Sequence, residues 1–475
     1  MKRKSLLLLA VLLLAAAPSR AKVTLPSFFG HNMVLQQQTE VAVWGSSDKD
    51  RPVWVCPSWT RQKFRATVSE DGKWFVRIPT PVAGGPYSIV FNDGDKMQID
   101  NVLIGEVWFC SGQSNMHMPM KGFKGQPVEG ATDYILAAKP STPIRMCTIK
   151  RTLSLTPLQD AEGVWYEHTP EAVSETSAVA YFFALRLNAV LDVPVGLVIS
   201  NWSGSAIESR MDRETLESGF AREFDLSFLD GDSVPGEAPR MPCALFNGQV
   251  APLIHFTFKG ILWYQGENNR ERPEQYSRLQ PAYAEMMRRL FQNPDAAFYF
   301  VQIAPFKYDN PQRYYSGYFY EMQEKTLSLI PHSGMAATVD IGEYGCIHPP
   351  RKKPVGDRLA YLALTKTYGI GGISAESPSF KSVVFEGPKA TVTMNVPLGG
   401  LSPTGQELGG FELAGRDKVF HPAAGVVSGT DRVVVTSDGV EAPVAVRYCW
   451  RNWAVGTLYN NYGIPALPFR SDTWQ

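Results

Sequence analysis

The sequence predicts an α/β protein, with a three-layer α/β/α domain flanked by β-sandwich segments. Three observations carry that prediction. Between about residues 102 and 371, short apolar runs alternate with amphipathic helical stretches, the pattern of a parallel sheet covered by helices on both faces. Before and after that region, short runs rich in β-branched and aromatic residues are separated by Gly, Asp, Asn and Pro, as in antiparallel strands joined by turns. The chain has 475 residues, room for several domains at ~100–200 residues each.

Residues 1–21 have the form of an export signal. Lys2, Arg3 and Lys4 precede an unbroken apolar run at 6–17, and Ser19 and Ala21 are small residues at the spacing a signal peptidase reads. The run is too short for a bilayer core of ~30 Å, and no later stretch is long enough for a membrane helix. The expectation is cleavage after Ala21 and a secreted or periplasmic protein with no membrane anchor. In an oxidising compartment the six cysteines, Cys56, Cys110, Cys147, Cys243, Cys346 and Cys449, can form disulfides or remain buried thiols, and spacing does not choose between these.

Residues 22–101 read as an N-terminal β-sandwich module. Its strands are expected at 41–44, 53–56, 64–68, 74–78 and 88–91, with turns at Gly45-Ser46-Ser47, Glu70-Asp71-Gly72 and Asn92-Asp93-Gly94. Residues 102–373 read as the α/β domain that carries chemistry. Its strands are expected at 103–109, 195–200, 260–264, 298–303 and 335–340, and its helices at 178–191, 283–291, 315–329 and 359–367. Residues 374–475 return to β, with runs at 383–385, 390–396, 432–436 and 444–447. That segment either forms its own sandwich or completes the N-terminal one.

Composition excludes some functions. Lys plus Arg and Asp plus Glu both number 46, so the net charge is zero and no basic surface for nucleic acid is expected. No CxxC, Cys/His cluster or phosphate-binding Gly-rich loop appears, so no metal and no cofactor are expected, and no obligate protein partner is implied.

The sharpest feature is Gly105-Glu106-Val107-Trp108-Phe109-Cys110-Ser111-Gly112-Gln113-Ser114-Asn115-Met116. A buried strand ends, a Gly permits a tight turn, and Ser114 follows where ligands bind in open α/β sheets. Ser114 is a candidate nucleophile there, or a helix N-cap. A serine nucleophile needs a base, and His348 follows the strand expected to end at Asp340. Acyl transfer also needs donors for an oxyanion. Trp202-Ser203-Gly204-Ser205 follows one strand and Trp263-Tyr264-Gln265-Gly266-Glu267-Asn268-Asn269 ends another, which makes the Gly204 backbone and the Asn268 amide candidates. The specific signal is that Ser, Gly, Asn and His each follow a predicted strand.

These blocks, with Leu25-Pro26-Ser27-Phe28-Phe29-Gly30, Met33-Val34-Leu35-Gln36, Leu245-Phe246-Asn247-Gly248 and Ile347-His348-Pro349, make the chain resemble the sialate O-acetylesterases, a carbohydrate-esterase branch of the SGNH hydrolases. The resemblance spans essentially the whole chain after residue 21. It implies an SGNH-like fold for the central domain, Ser114 as nucleophile and His348 as base. It also implies an oxyanion hole from the Ser114 and Gly204 backbones and the Asn268 amide.

One position departs from the wider superfamily. The acid usually found three residues before the His is Gly345 here, so the group that orients the imidazole is open. Asp340, Glu343 and Glu267 are the carboxylate candidates, and a backbone carbonyl supporting a Ser–His dyad is the alternative. The resemblance implies an acetylated sialic acid or sialoglycan as substrate, whose carboxylate an Arg recognises in a bidentate way. Arg210, Arg270 and Arg351 follow the site loops and are the candidates. Two rival readings remain: an esterase for another acetylated glycan such as xylan or pectin, and a catalytically inactive carbohydrate-binding protein.

Overall fold

The computed structural model describes residues 23–48 and 51–474. The export signal expected at 1–21 lies outside these.

The N-terminal strands are β1 (Val34–Gln36), β2 (Glu40–Ser46), β3 (Val53–Pro57), β4 (Phe64–Ala66), β5 (Lys73–Pro79) and β6 (Gly84–Asn92), followed by the long β7 (Lys96–Gly112). β2 pairs antiparallel with β5, and β4, β3, β6 and β7 form a second antiparallel set. The sequence places a boundary at 101/102, and β7 runs straight across it. Up to Ile104 β7 pairs with β6, and from Glu106 it pairs with strands of the central sheet. Asn101 marks the crossing with a left-handed backbone, φ 57°, a conformation Asn tolerates better than most residues.

The central domain contains α1 (Ser114–His117), α2 (Ala131–Leu136), β8 (Ile144–Thr148), β9 (Trp165–Tyr166), α3 (Pro170–Glu175), α4 (Ala178–Leu191), β10 (Val195–Asn201), α5 (Arg213–Phe220), β11 (Gly260–Tyr264), α6 (Pro273–Leu290), β12 (Ala297–Val301), α7 (Tyr315–Thr326), β13 (Ser333–Ala336) and α8 (Lys352–Leu362). The strands lie in the order β13-β12-β11-β7-β10-β8-β9. Pairing is parallel from β13 to β8, and β9 is antiparallel at the edge. Strand period 2 sends alternate residues into two cores. Val107, Phe109, Ile261, Trp263, Phe298 and Phe300 enter one. Trp108, Cys110, Leu262, Tyr264, Tyr299 and Val301 enter the other, with α4 and α8 packed over it. This is the three-layer architecture the sequence predicts.

Two central elements escape the sequence pattern. β8 carries Arg145, a buried cation paired with Glu167 at 3.0 Å, and that charge interrupts its apolar run. α6 begins at Pro273 rather than 283 because Pro281 sits inside it, where a proline normally signals a break.

The C-terminal strands are β14 (Ser379–Glu386), β15 (Lys389–Asn395), β16 (Leu401–Ser402), β17 (Leu408–Ala414), β18 (Phe420–Ser428), β19 (Arg432–Thr436), β20 (Ala445–Tyr448), β21 (Tyr459–Asn460) and β22 (Phe469–Arg470). They pair only with one another, in the main order β14-β15-β19-β18-β17-β20-β22. The segment therefore builds its own sheet around Val392, Phe411, Tyr448 and Phe469. It docks on α7, where Trp450 meets Tyr318 at 4.5 Å between ring centroids and Asn452 accepts from Ser316. All six cysteines are free thiols.

Candidate active site

The chain builds β7, β8 and β10 on one side of the sheet and then β11, β12 and β13 on the other. The reversal beside β7 opens a crevice at the carboxyl ends of β10, β7 and β11, the position where such sheets bind ligands. Gly112 closes β7. A Cβ there would lie 2.1 Å from the Tyr264 carbonyl oxygen, and its φ is +151°, so only Gly lets the two strand ends approach this closely. The Gly112 oxygen accepts from the Trp202 N–H at 3.2 Å, which draws in the loop after β10.

Gln113 gathers the third loop. Its Oε1 accepts from Gln265 Nε2 at 3.0 Å, from the Gly266 N–H at 3.2 Å and from the Asn268 N–H at 3.3 Å. Ser114 is the first residue of α1 and is 8% exposed. Its N–H and that of Gly204 have no acceptor among the described residues, as befits a helix start and a left-handed turn (Gly204 φ +73°). Asn268 Nδ2 donates to the Gly204 oxygen at 2.9 Å, which leaves its second amide hydrogen unused. The structure thus ties the loops of Ser114, Gly204 and Asn268 to one another through Gln113 and the Asn268–Gly204 bond.

His348 approaches from the loop before α8. The Asn115 side chain donates to the Ile347 oxygen at 3.1 Å, so the neighbour of Ser114 is bonded to the neighbour of His348. His348 and His117 both pack edge-on against Phe123, each at 5.3 Å between ring centroids. His348 Nδ1 bonds Gln126 Oε1 at 2.7 Å. An amide oxygen only accepts, so the proton is on Nδ1 and the Nε2 lone pair is free. Burial, then the nearby Lys352, hold the His348 pKa down at about 4. The ring is neutral and basic at Nε2, the form a general base requires.

Gln126 is thus the side chain that holds His348 Nδ1, and none of the three predicted carboxylates bonds that nitrogen. Asp340 is tied in a fork to Arg358, at 2.8 and 2.6 Å. Glu343 is exposed on the loop. Glu267 accepts from Asn115 Nδ2 at 2.5 Å. The expected backbone alternative gives way to a side-chain carbonyl. Gln126 sits on a hairpin in which Phe123 and Gln126 exchange backbone hydrogen bonds. Gly122 (φ +78°) is required there because a Cβ would lie 2.4 Å from the Gln126 oxygen. The left-handed pair Gly122 and Gly125 was the only sequence signal for this presentation.

The predicted carboxylate-binding arginines fare differently from one another. Arg210 is fully buried against Ser200, and Arg270 is 6% exposed with its guanidinium 3.8 Å from the Tyr308 ring centroid. Both are buried, because sequence distance from a loop says nothing about burial. Arg351 is exposed and donates to the Asp340 backbone oxygen. A cation the sequence analysis passed over stands closer. Exposed Arg151 donates to His117 Nε2 and has no carboxylate within 4.0 Å among the described residues. Among the described residues no three His, Cys, Asp or Glu side chains converge as a metal site, and no helix is long and apolar enough to cross a membrane.

Residues 104–348 match the family described as carbohydrate esterase, sialic acid-specific acetylesterase. Sialate O-acetylesterases from Homo sapiens and Mus musculus are 25% and 24% identical, covering 93% and 97% of this chain and 91% and 96% of theirs. A crystal structure of a carbohydrate acetylesterase from Xanthomonas citri superposes with a TM-score of 0.84 at 34% identity, covering 95% of this chain and all of that one.

Proposed function

The chain belongs to the family of sialic acid-specific carbohydrate esterases, and from that premise we propose that it removes O-acetyl groups from sialic acids by a serine mechanism. Ser114 Oγ attacks the acetyl carbonyl while its proton passes to His348 Nε2. The Ser114 and Gly204 N–H groups and the Asn268 amide hold the oxyanion. Collapse expels the sugar oxygen, which takes the proton from His348 and leaves an acetyl-serine. Water, deprotonated by the same imidazole, then releases acetate and restores the serine. The observation that carries the reading is the Gln126–His348 bond. It supplies the tautomer that the triad acid supplies elsewhere, so the absence of an acid at position 345 is no argument for an inactive protein.

Arg151 supports an acidic sugar as substrate, since its guanidinium stands beside His117 without a carboxylate partner. The segment at 1–21 supports export. A second reading, an acetylated glycan such as xylan or pectin, is favoured by the burial of Arg210 and Arg270. Acetate release from 9-O-acetyl sialic acid and from acetylated xylan, measured side by side, separates the two. Turnover of the sialic acid that collapses in Arg151→Met is the expected result. Release from xylan alone overturns the sialate reading and leaves the esterase reading intact.

A further inference from the structure

Beneath the junction of the Ser114 and His348 loops lies a buried polar unit drawn from three elements. Asn115, fully buried, is its centre. Its Nδ2 donates to Glu267 Oε1 at 2.5 Å and to the Ile347 oxygen at 3.1 Å, and its Oδ1 accepts from Lys352 Nζ at 2.5 Å. Lys352 opens α8 and is 1% exposed. It has no carboxylate within 4.0 Å among the described residues, and its Nζ lies 6.0 Å from the Tyr264 ring centroid. A buried ammonium held by an amide rather than a carboxylate is costly.

We infer that Asn115 and Lys352 are positioning residues for the esterase reaction: the Asn115 amide, itself held by the Lys352 ammonium, fixes the separation of the nucleophile turn from the base loop and anchors a buried cation in the wall behind that loop. The inference rests on the Ser114–His348 reading. Asn115 directly follows Ser114, and Ile347 directly precedes His348, so one side chain sets the register of both reacting groups. The charge argument has a definite sign. Burial brings the Lys352 pKa down to about 7, with Glu267 and Cys346 opposing. Below that pH Lys352 is an ammonium, and it opposes a proton on His348. From α1, His117 carries Arg151 on its far side, and both add the same sign when charged. From the β11 loop, Glu267 acts in the opposite direction, and burial raises its pKa. With a neutral glutamine in the acid's place, a cation in the wall tunes the base downward, whereas a triad carboxylate favours the protonated ring.

The test is the pH dependence of kcat/KM for 4-nitrophenyl acetate. In the unmodified protein the acid limb lies near pH 4, well below the ordinary imidazole value of about 6.5. Lys352→Met moves it upward by roughly one pH unit, and Lys352→Arg leaves it low. Asn115→Ala lowers kcat by of order 10²-fold with KM little changed, the signature of lost alignment. An unmodified limb at or above 6.5 overturns the inference even where Lys352→Met fails to fold. So does an unmoved limb in folded Lys352→Met. Ser114→Ala keeps the two levels apart. If it remains active, the serine mechanism itself fails. If it is dead and the limb behaves as just described for failure, the serine mechanism stands and the inference is lost.

Discussion

His117 and His348 flank the same phenyl ring at the same distance. Each has Nδ1 on a side-chain oxygen, Ser203 Oγ at 2.6 Å and Gln126 Oε1 at 2.7 Å. Burial brings each to a pKa of about 4. They differ at Nε2. On His117 that nitrogen meets Arg151, whereas on His348 it has no partner among the described residues. Neutrality and burial alone therefore do not make a base. What distinguishes the two rings is which one has an unoccupied Nε2 lone pair.

Substitutions break this comparison most sharply at the base itself. His348→Asn should lower kcat/KM by of order 10³-fold or more, because proton transfer and its timing are both lost. His117→Asn should stay within about tenfold on 4-nitrophenyl acetate. Equal losses in the two variants, measured on folded protein, would show that the rings share the work. Asn268→Ala should come next, with roughly 10²–10³ lost from kcat. A change confined to KM would make Asn268 a substrate contact instead. Gln126→Ala is the finest probe. It removes the acceptor on Nδ1 without touching Nε2, and a loss of roughly 10–100-fold in kcat is expected. Gln126→Glu should recover activity and raise the acid limb, since a carboxylate favours the protonated ring. If Gln126→Ala is indistinguishable from the parent, the hydrogen bond does not set the tautomer.

The depressed histidines also make the fold acid-sensitive. Both rings resist protonation in the folded state until about pH 4, but take it up near 6.5 when unfolded. The unfolded state binds more protons between those values, so stability falls as pH drops through that window.

Much of the site was legible in the sequence because strand order does the placing. Ser114, Gly204 and Asn268 each follow a strand that the apolar runs mark. Parallel pairing brings such strand ends to one edge, and His348 joins them on the loop after β13. Gln126 was not legible in that way. It follows no strand, and it reaches His348 only through a hairpin whose shape depends on Gly122 meeting the backbone of Gln126. Arg210 and Arg270 show the converse: they lie near the right loops in sequence but are buried in the structure. β8 was hidden by Arg145, whose charge is neutralised by a partner 22 residues away.

β7 has a mechanical meaning beyond its place in two sheets. A continuous strand bonded on both flanks is a beam, not a hinge. Val34–Gln36 bond to it at Leu103, Ile104 and Gly105, and the Gln36 side chain accepts from the Val107 N–H at 2.9 Å. The N-terminal segment therefore supplies part of the wall on which Gln113 and Ser114 are mounted. Cutting the gene at the apparent domain boundary would sever that beam and leave a raw strand edge open to other chains. The β module that precedes the esterase domain is, in this sense, part of its foundation.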